Sequence, residues 1–234
     1  MSALDYLSTV TLTRGKHQSG GSVCAMEALA LALGCPHSDC PPCTDAPLAA
    51  AFRRVNDWSG WRNDKDRTAF MRPYLMRLGR LALADRHAPN AAYGYAAADV
   101  ACRVIAPMAL DAAGMGEHAA ALRGLTPVVS APTARAAAAA AAAYADADAA
   151  TVAAATAAYA DAADAYAAAY ADAAAAYAAA AVACAMDAAR AATRATAAAT
   201  YADAYAAAAG ALLTRFIDVC EAGCWPLPVV EVTP

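Results

Sequence analysis

Helix breakers are almost missing from the last third of this chain. Between residues 134 and 219 there is no Pro and a single Gly, Gly210. Their absence removes the two residue types that most reliably interrupt a helix. Large aromatics are scarce too: three Phe and three Trp in 234 residues. Strand-like alternation is missing apart from short pieces at 9–13 and 229–232. No uncharged run in the Ala-rich part reaches the ~20 residues of a bilayer span; the longest is 173–186, with Asp on both sides. A membrane partner is therefore not expected. Residues 1–12 lack a basic stretch leading into a sustained apolar one, so no secretory signal is expected either. The phosphate-cradling Gly motif, the Ser-His-Asp signature and the zincin motif are all missing.

What is present is alanine. Residues 134–219 are Ala with Tyr, Asp and Thr set sparsely among them. Ala has the highest intrinsic helix propensity, and summed over such a length it makes the segment α-helical. Each Ala buries only one methyl, worth about 0.8 kcal/mol, so the 61% hydrophobic fraction overstates the core. Tyr159, Tyr166, Tyr170 and Tyr177 fall within about 40° of one another at about 100° per residue. Asp146, Asp161, Asp164 and Asp172 cluster opposite them. Tyr201 and Tyr205 fall out of phase with the stripe. As one rod, 134–219 would measure about 130 Å, against a radius of gyration near 18 Å for a compact chain of this size. The stripe is thus expected to be covered, by a hairpin fold-back or by a second copy of the chain. The four tyrosines are the expected interaction residues, and a homo-oligomer the expected assembly.

The charge balance of −4 gives no reason to expect nucleic acid as a partner. Over 134–210 seven Asp stand against Arg135, Arg190 and Arg194, and an acidic rod repels phosphate. Basic residues before it (Arg53, Arg54, Arg72, Arg77, Arg80) read as a solvated helix face. The simplest setting is the cytoplasm or a phage particle, where the eight cysteines default to thiols, metal ligands or catalytic groups.

Composition changes at 126–133, whose two prolines and Ser/Thr residues mark a connector. The expected organisation is a helical module over 1–130 with a Cys/Pro loop, an Ala-rich helical region over 131–224, and an extended tail over 225–234. Within the first part, punctuation at Gly34, Pro36, Pro73, Pro89, Pro107 and Gly114/Gly116 predicts helices near 22–34, 46–58, 65–71, 74–83, 90–105 and 107–122. His87 and His118 read as isolated residues. Asp64 or Asp66 reads as a helix cap.

Two clusters could carry chemistry. Cys24 follows a Gly-rich loop and opens a helix, where a thiol's pKa falls; with His17 as base it could act as a nucleophile. The structural alternative is a buried Cys, with Glu27 favourable near the positive helix end. Cys40 and Cys43 have the Cys-x₂-Cys spacing that binds a tetrahedral zinc. Cys35 and His37, or Cys220 and Cys224, would supply the remaining ligands. A Pro-rich turn with free thiols, or a disulfide, fits the same residues.

Residues 22–28, Ser38-Asp39 with Pro41 and Cys43, Ala51-Phe52 with Asn56-Asp57, and Arg67-Thr68 with Pro73 and Arg77-Leu78 together resemble a group of uncharacterised proteins from actinobacteria and their phages. In that group a similar N-terminal module precedes a long Ala-rich helical tail. The resemblance implies an all-α protein in a phage or mobile-element context and supplies no catalytic residues. The Ala-rich part also looks like the helical antifreeze proteins. Those present Thr at an eleven-residue step, which Thr151, Thr156, Thr193, Thr196 and Thr200 do not follow. The expectation is therefore an all-α, non-enzymatic structural or interaction protein that self-associates through its Ala/Tyr face. The alternatives are a Cys24-dependent enzyme and an ice-binding protein.

Overall fold

The computed structural model describes residues 2–112, 115–143 and 198–222, and these form an all-α fold. The tyrosine stripe (Tyr159, Tyr166, Tyr170, Tyr177), Cys224 and the tail lie outside the described residues. In chain order the helices are α1 (Ala3–Thr9), α2 (Ala25–Ala32), α3 (Ala46–Asn56), α4 (Asp64–Leu83), α5 (Asn90–Val100), α6 (Ala106–Ala112), α7 (Gly116–Arg123), α8 (Ala131–Ala143) and α9 (Ala198–Ala222). A π-helical turn, Ala101–Ile105, joins α5 to α6 without a break.

Local chemistry sets many of the ends. Ser2 and Asp5 form a capping box around the first turn of α1, with reciprocal bonds of 3.2 and 2.9 Å. The Ser2 backbone N–H holds the Asp5 carboxyl below its ordinary range. Gly34, at φ +69°, ends α2 in the left-handed conformation that only glycine takes freely. Asn63, not Asp64 or Asp66, caps α4 by accepting from the Asp66 N–H at 2.9 Å. Asp64 instead pairs with Arg67.

Two prolines do not break helices as expected. Pro73 lies inside the 20-residue α4, so the predicted pair 65–71 and 74–83 is one helix. That helix buries Met71, Leu75 and Leu78 on a single face on both sides of the proline. A continuous apolar stripe outweighs the one backbone bond that Pro73 cannot make. Pro107 likewise continues a helix instead of starting a new one. The wide turn before it, in which the Ala106 N–H reaches back to the Ala101 carbonyl, relaxes the ladder where the ring would crowd Arg103. The short strand expected at 9–13 is a single parallel bridge, Leu12 to Val23.

The main core gathers α1 to α5 around α9. Leu7, Met26, Leu29, Phe52, Met71 and Leu78 share it with Tyr205, Leu213, Phe216 and Ile217. Gly79 lets α1 approach α4 closely: a β-carbon there would lie 2.7 Å from a Leu7 methyl. A second cluster, Tyr95, Ala98, Cys102, Val128, Ala134 and Ala137, seats α8 on α5. The expected boundary at 130 therefore does not separate the packing, because α8 and α9 share cores with the helices before it.

Polar contacts fasten the C-terminal end of α9. Arg77 reaches Asp218 and Glu221 at 2.7 Å each, Arg86 donates to the Glu221 carbonyl at 2.6 Å, and Arg215 meets the buried Asp99 at 3.3 Å. Arg72 donates to the Val10 carbonyl at 2.9 Å. The expected solvated basic face is thus partly spent on holding elements together: Arg72 and Arg77 are engaged, while Arg54 and Arg80 are exposed.

Candidate functional site

The densest polar cluster centres on Glu27. Pairing of Leu12 with Val23 delivers the chain to Cys24, which stands at the N-cap of α2 and places Glu27 in the first turn. The Glu27 side chain is fully buried. Its carboxylate accepts from the His17 backbone N–H at 2.7 Å, the Cys24 backbone N–H at 2.9 Å and His17 Nδ1 at 2.8 Å. His37 Nε2 stands 3.6 Å away and donates to the His17 carbonyl at 3.0 Å. His17 Nε2 faces the Thr13 hydroxyl at 3.1 Å, and that hydroxyl donates to the Val23 carbonyl at 3.1 Å.

Burial pushes the Glu27 carboxyl up. The two backbone N–H groups and the His17 ring outweigh that push and hold it below its ordinary range. Next to it, buried Asn56 accepts from the Ala25 N–H at 3.3 Å and donates to the Thr13 carbonyl at 2.9 Å and to Asp57 at 2.8 Å. Asp57 in turn accepts from the Gly15 N–H at 2.8 Å. The Gly-rich loop is therefore pinned to α2 by the buried Glu27 and to the end of α3 by the half-buried Asp57.

These contacts change the reading of Cys24. The structure turns His17 toward Glu27, not toward the thiol. Cys24 is buried, and desolvation together with the neighbouring Glu27 charge pushes its thiol from 9.0 up to about 12, despite help from the Glu27 and Met26 backbone N–H groups. The helix-terminus effect is outweighed chiefly by burial, with the Glu27 anion in the first turn adding to it. Near neutral pH, iodoacetamide is expected to alkylate the buried Cys24 at least about tenfold more slowly than the exposed Cys40, since burial withholds the reagent and disfavours the thiolate. Mass-spectrometric timing of the two peptides checks this; equal rates would restore the nucleophile.

The Cys/Pro loop is also arranged differently from a Cys40–Cys43 knuckle. Cys40 is exposed, Cys35 and Cys43 are half-buried, burial and then the neighbouring Cys35 push the Cys43 thiol up, and His37 turns to the Glu27 cluster. Cys220 lies in the core, 2.7 Å from the Tyr93 hydroxyl. Among the described residues, no group of three or more His, Cys, Asp or Glu side chains is disposed to hold a metal ion.

A second polar cluster has no precedent in local sequence. Asp45 precedes α3, but its side chain reaches across to the α4–α5 connection. It meets His87 Nδ1 at 2.5 Å and accepts from the Ala88 N–H at 2.9 Å and from the Tyr93 hydroxyl at 2.5 Å. His87 Nε2 also faces Asp85 at 3.2 Å. The Asp45 hydrogen bond, opposed by partial burial, leaves the His87 pKa raised. Burial drives the Tyr93 hydroxyl upward and moves the Cys220 thiol to about 11. His87 is thus not isolated, and the only hint in sequence was an acid at a helix start that its own helix does not use.

Fold and polar clusters together define an all-α protein whose buried carboxylates tie loops to helix ends. No family model, curated protein or solved structure matches this chain. Among the described residues, no helix is long and apolar enough to cross a membrane.

Proposed function

We propose that this chain is a non-enzymatic structural or interaction protein, in which a folded helical body carries an Ala/Tyr-rich segment that binds a second copy of the chain. The observation that carries this reading is the seating of both flanks of that segment. Helix α8, which leads into it, and helix α9, which leads out, both pack against α5. The two helices that flank the segment are therefore anchored to one helix of the body. The amphipathic pattern of Tyr159, Tyr166, Tyr170 and Tyr177 supplies the adhesive face, and the Asp residues opposite keep the other side solvated. The polar clusters of the body support the same reading, since their carboxylates are engaged in fixing loops. The setting we assign is the cytoplasm or a phage particle.

Sedimentation velocity at micromolar concentration tests the proposal. The wild-type chain is expected as a dimer or larger species. A variant with Tyr159, Tyr166, Tyr170 and Tyr177 all changed to Ala is expected as a monomer with the helical body still folded by circular dichroism. A compact wild-type monomer overturns it.

A further inference from the structure

The connection between α4 and α5, residues 84–89, turns back on itself at Asp85. Asp85 takes a left-handed conformation, φ +49°, which Asp tolerates better than most side chains. Beyond that turn, His87 stands between two carboxylates. Its Nδ1 meets Asp45 at 2.5 Å and its Nε2 faces Asp85 at 3.2 Å. A neutral imidazole carries one N–H, so a donor toward each carboxylate requires the imidazolium. Asp45 stands at the N-cap of α3 but makes no cap bond with its side chain. One of its oxygens is turned to His87, the other to the Ala88 N–H and the Tyr93 hydroxyl. The two ion pairs are unequal. The Asp85 side chain is 97% exposed and that of Asp45 only 16%, so water screens the first and the Asp45 pair carries most of the attraction.

We infer that His87 is a pH-sensitive latch: bridging Asp45 and Asp85 as an imidazolium, it fastens the α4–α5 connection to the start of α3, and loss of its proton slackens that connection. The groups around it come from four elements. The start of α3 gives Asp45, and the connection itself gives Asp85 and Arg86, whose guanidinium is turned to the Glu221 carbonyl at 2.6 Å. From α5 comes Tyr93, and from α9 comes Cys220, whose sulfur lies 3.9 Å from Asp45. Burial keeps the Tyr93 hydroxyl and the Cys220 thiol, the latter at about 11, protonated near neutral pH. The histidine is therefore the member of the cluster whose charge changes there. The Asp45 hydrogen bond, opposed by partial burial, raises the His87 pKa above its ordinary 6.5. The latch is thus fully closed below that ordinary value, and its contribution is lost as pH rises through the raised folded one. A neutral ring would turn a lone pair toward one of the two carboxylates, so the bridge does not survive deprotonation.

The Ala88 N–H, which donates to Asp45, reports the latch directly. Its hydrogen exchange in the full chain is followed by NMR from about pH 5.5 to about pH 8, across the range in which histidines titrate, and corrected for the intrinsic pH dependence of exchange. Opening is expected to rise about threefold over that range, the effect of one half-exposed ion pair. The His87 ring nitrogens are expected to titrate above a free histidine. His87→Gln keeps an amide donor without a titrating group, and its corrected profile is expected to be flat. A flat wild-type profile, a rise of the same size in His87→Gln, or a His87 midpoint at or below that of a free histidine overturns the inference. If His87→Gln does not fold, the wild-type profile and the ring titration decide it.

Discussion

Glu27→Gln is expected to lower folding stability by about 3 kcal/mol, the cost of leaving buried donors without the charged acceptor they converge on. Such a loss is a large fraction of the whole stability of a typical domain, about 5–15 kcal/mol. The substitution keeps the volume but not the chemistry. Three N–H groups converge on the carboxylate: the His17 and Cys24 backbone amides and the His17 ring. A glutamine offers one acceptor oxygen and turns an NH₂ toward donors. The Gly-rich loop, which Glu27 holds through His17, should loosen first. Urea denaturation measures the effect, and a loss below about 1 kcal/mol would mean that the cluster does not hold the loop.

The pH dependence follows from the same contacts. The folded Glu27 carboxyl lies below its unfolded value, which is near 4.3 for a free Glu. Its contribution is therefore fully present above that unfolded value and is lost as pH falls through the folded one. Glu27→Gln should remove this part of the acid sensitivity and flatten the stability profile on the acid side. A profile as steep as that of the wild type would place the sensitivity elsewhere.

Tyr205→Ala is the second large effect, about 3–5 kcal/mol by analogy with other buried aromatics truncated to Ala. Tyr205 is fully buried and stacks on Trp58 with ring centroids 3.7 Å apart and planes 7° from parallel. Trp61 meets the same ring edge-on at 6.3 Å and Trp58 at 5.0 Å. Gly60 makes this corner feasible, since a β-carbon there would fall 2.2 Å from the Trp58 ring. The stack joins the first half of α9 to the α3–α4 connection, so its loss should undock that end of α9 while Arg77 and Arg86 still hold the other. Tyr205→Phe keeps the ring and should retain most of the stability. Thermal melts followed by Trp fluorescence separate the two variants. A Tyr205→Ala protein that melts like wild type would show that the Trp58 stack does not hold α9.

Tyr205 also explains a mismatch in the sequence pattern. It falls out of phase with the stripe of Tyr159, Tyr166, Tyr170 and Tyr177 because its burial is set by Trp58 on a distant connection. A helical wheel registers angle along one helix and is blind to which neighbour waits on each side. The same limit hid the Asp45 cluster, whose members His87, Tyr93 and Cys220 are 42, 48 and 175 residues away. Cys24, His17 and Glu27 were legible as a group, and the structure brings them together in the form of the structural alternative, a buried Cys24 with Glu27 in the first turn. Proximity to a helix start argues for a lowered thiol pKa; burial, which only the folded chain supplies, and then the neighbouring Glu27 charge push it up instead.

What the amino-acid order determined alone was the helical class and many of the helix ends. Ala propensity, the Gly34 stop and the start of α3 after Asp45 act over a few residues and need no partner. The tertiary structure decided the rest. It carried α4 through Pro73 and the α5–α6 helix through Pro107, drew α8 and α9 back onto α5, and chose the partners of Glu27, Asp45 and Tyr205. Those outcomes turn on which surfaces lose water together. Burial is a property of the assembled chain, and no stretch of residues specifies it by spacing alone.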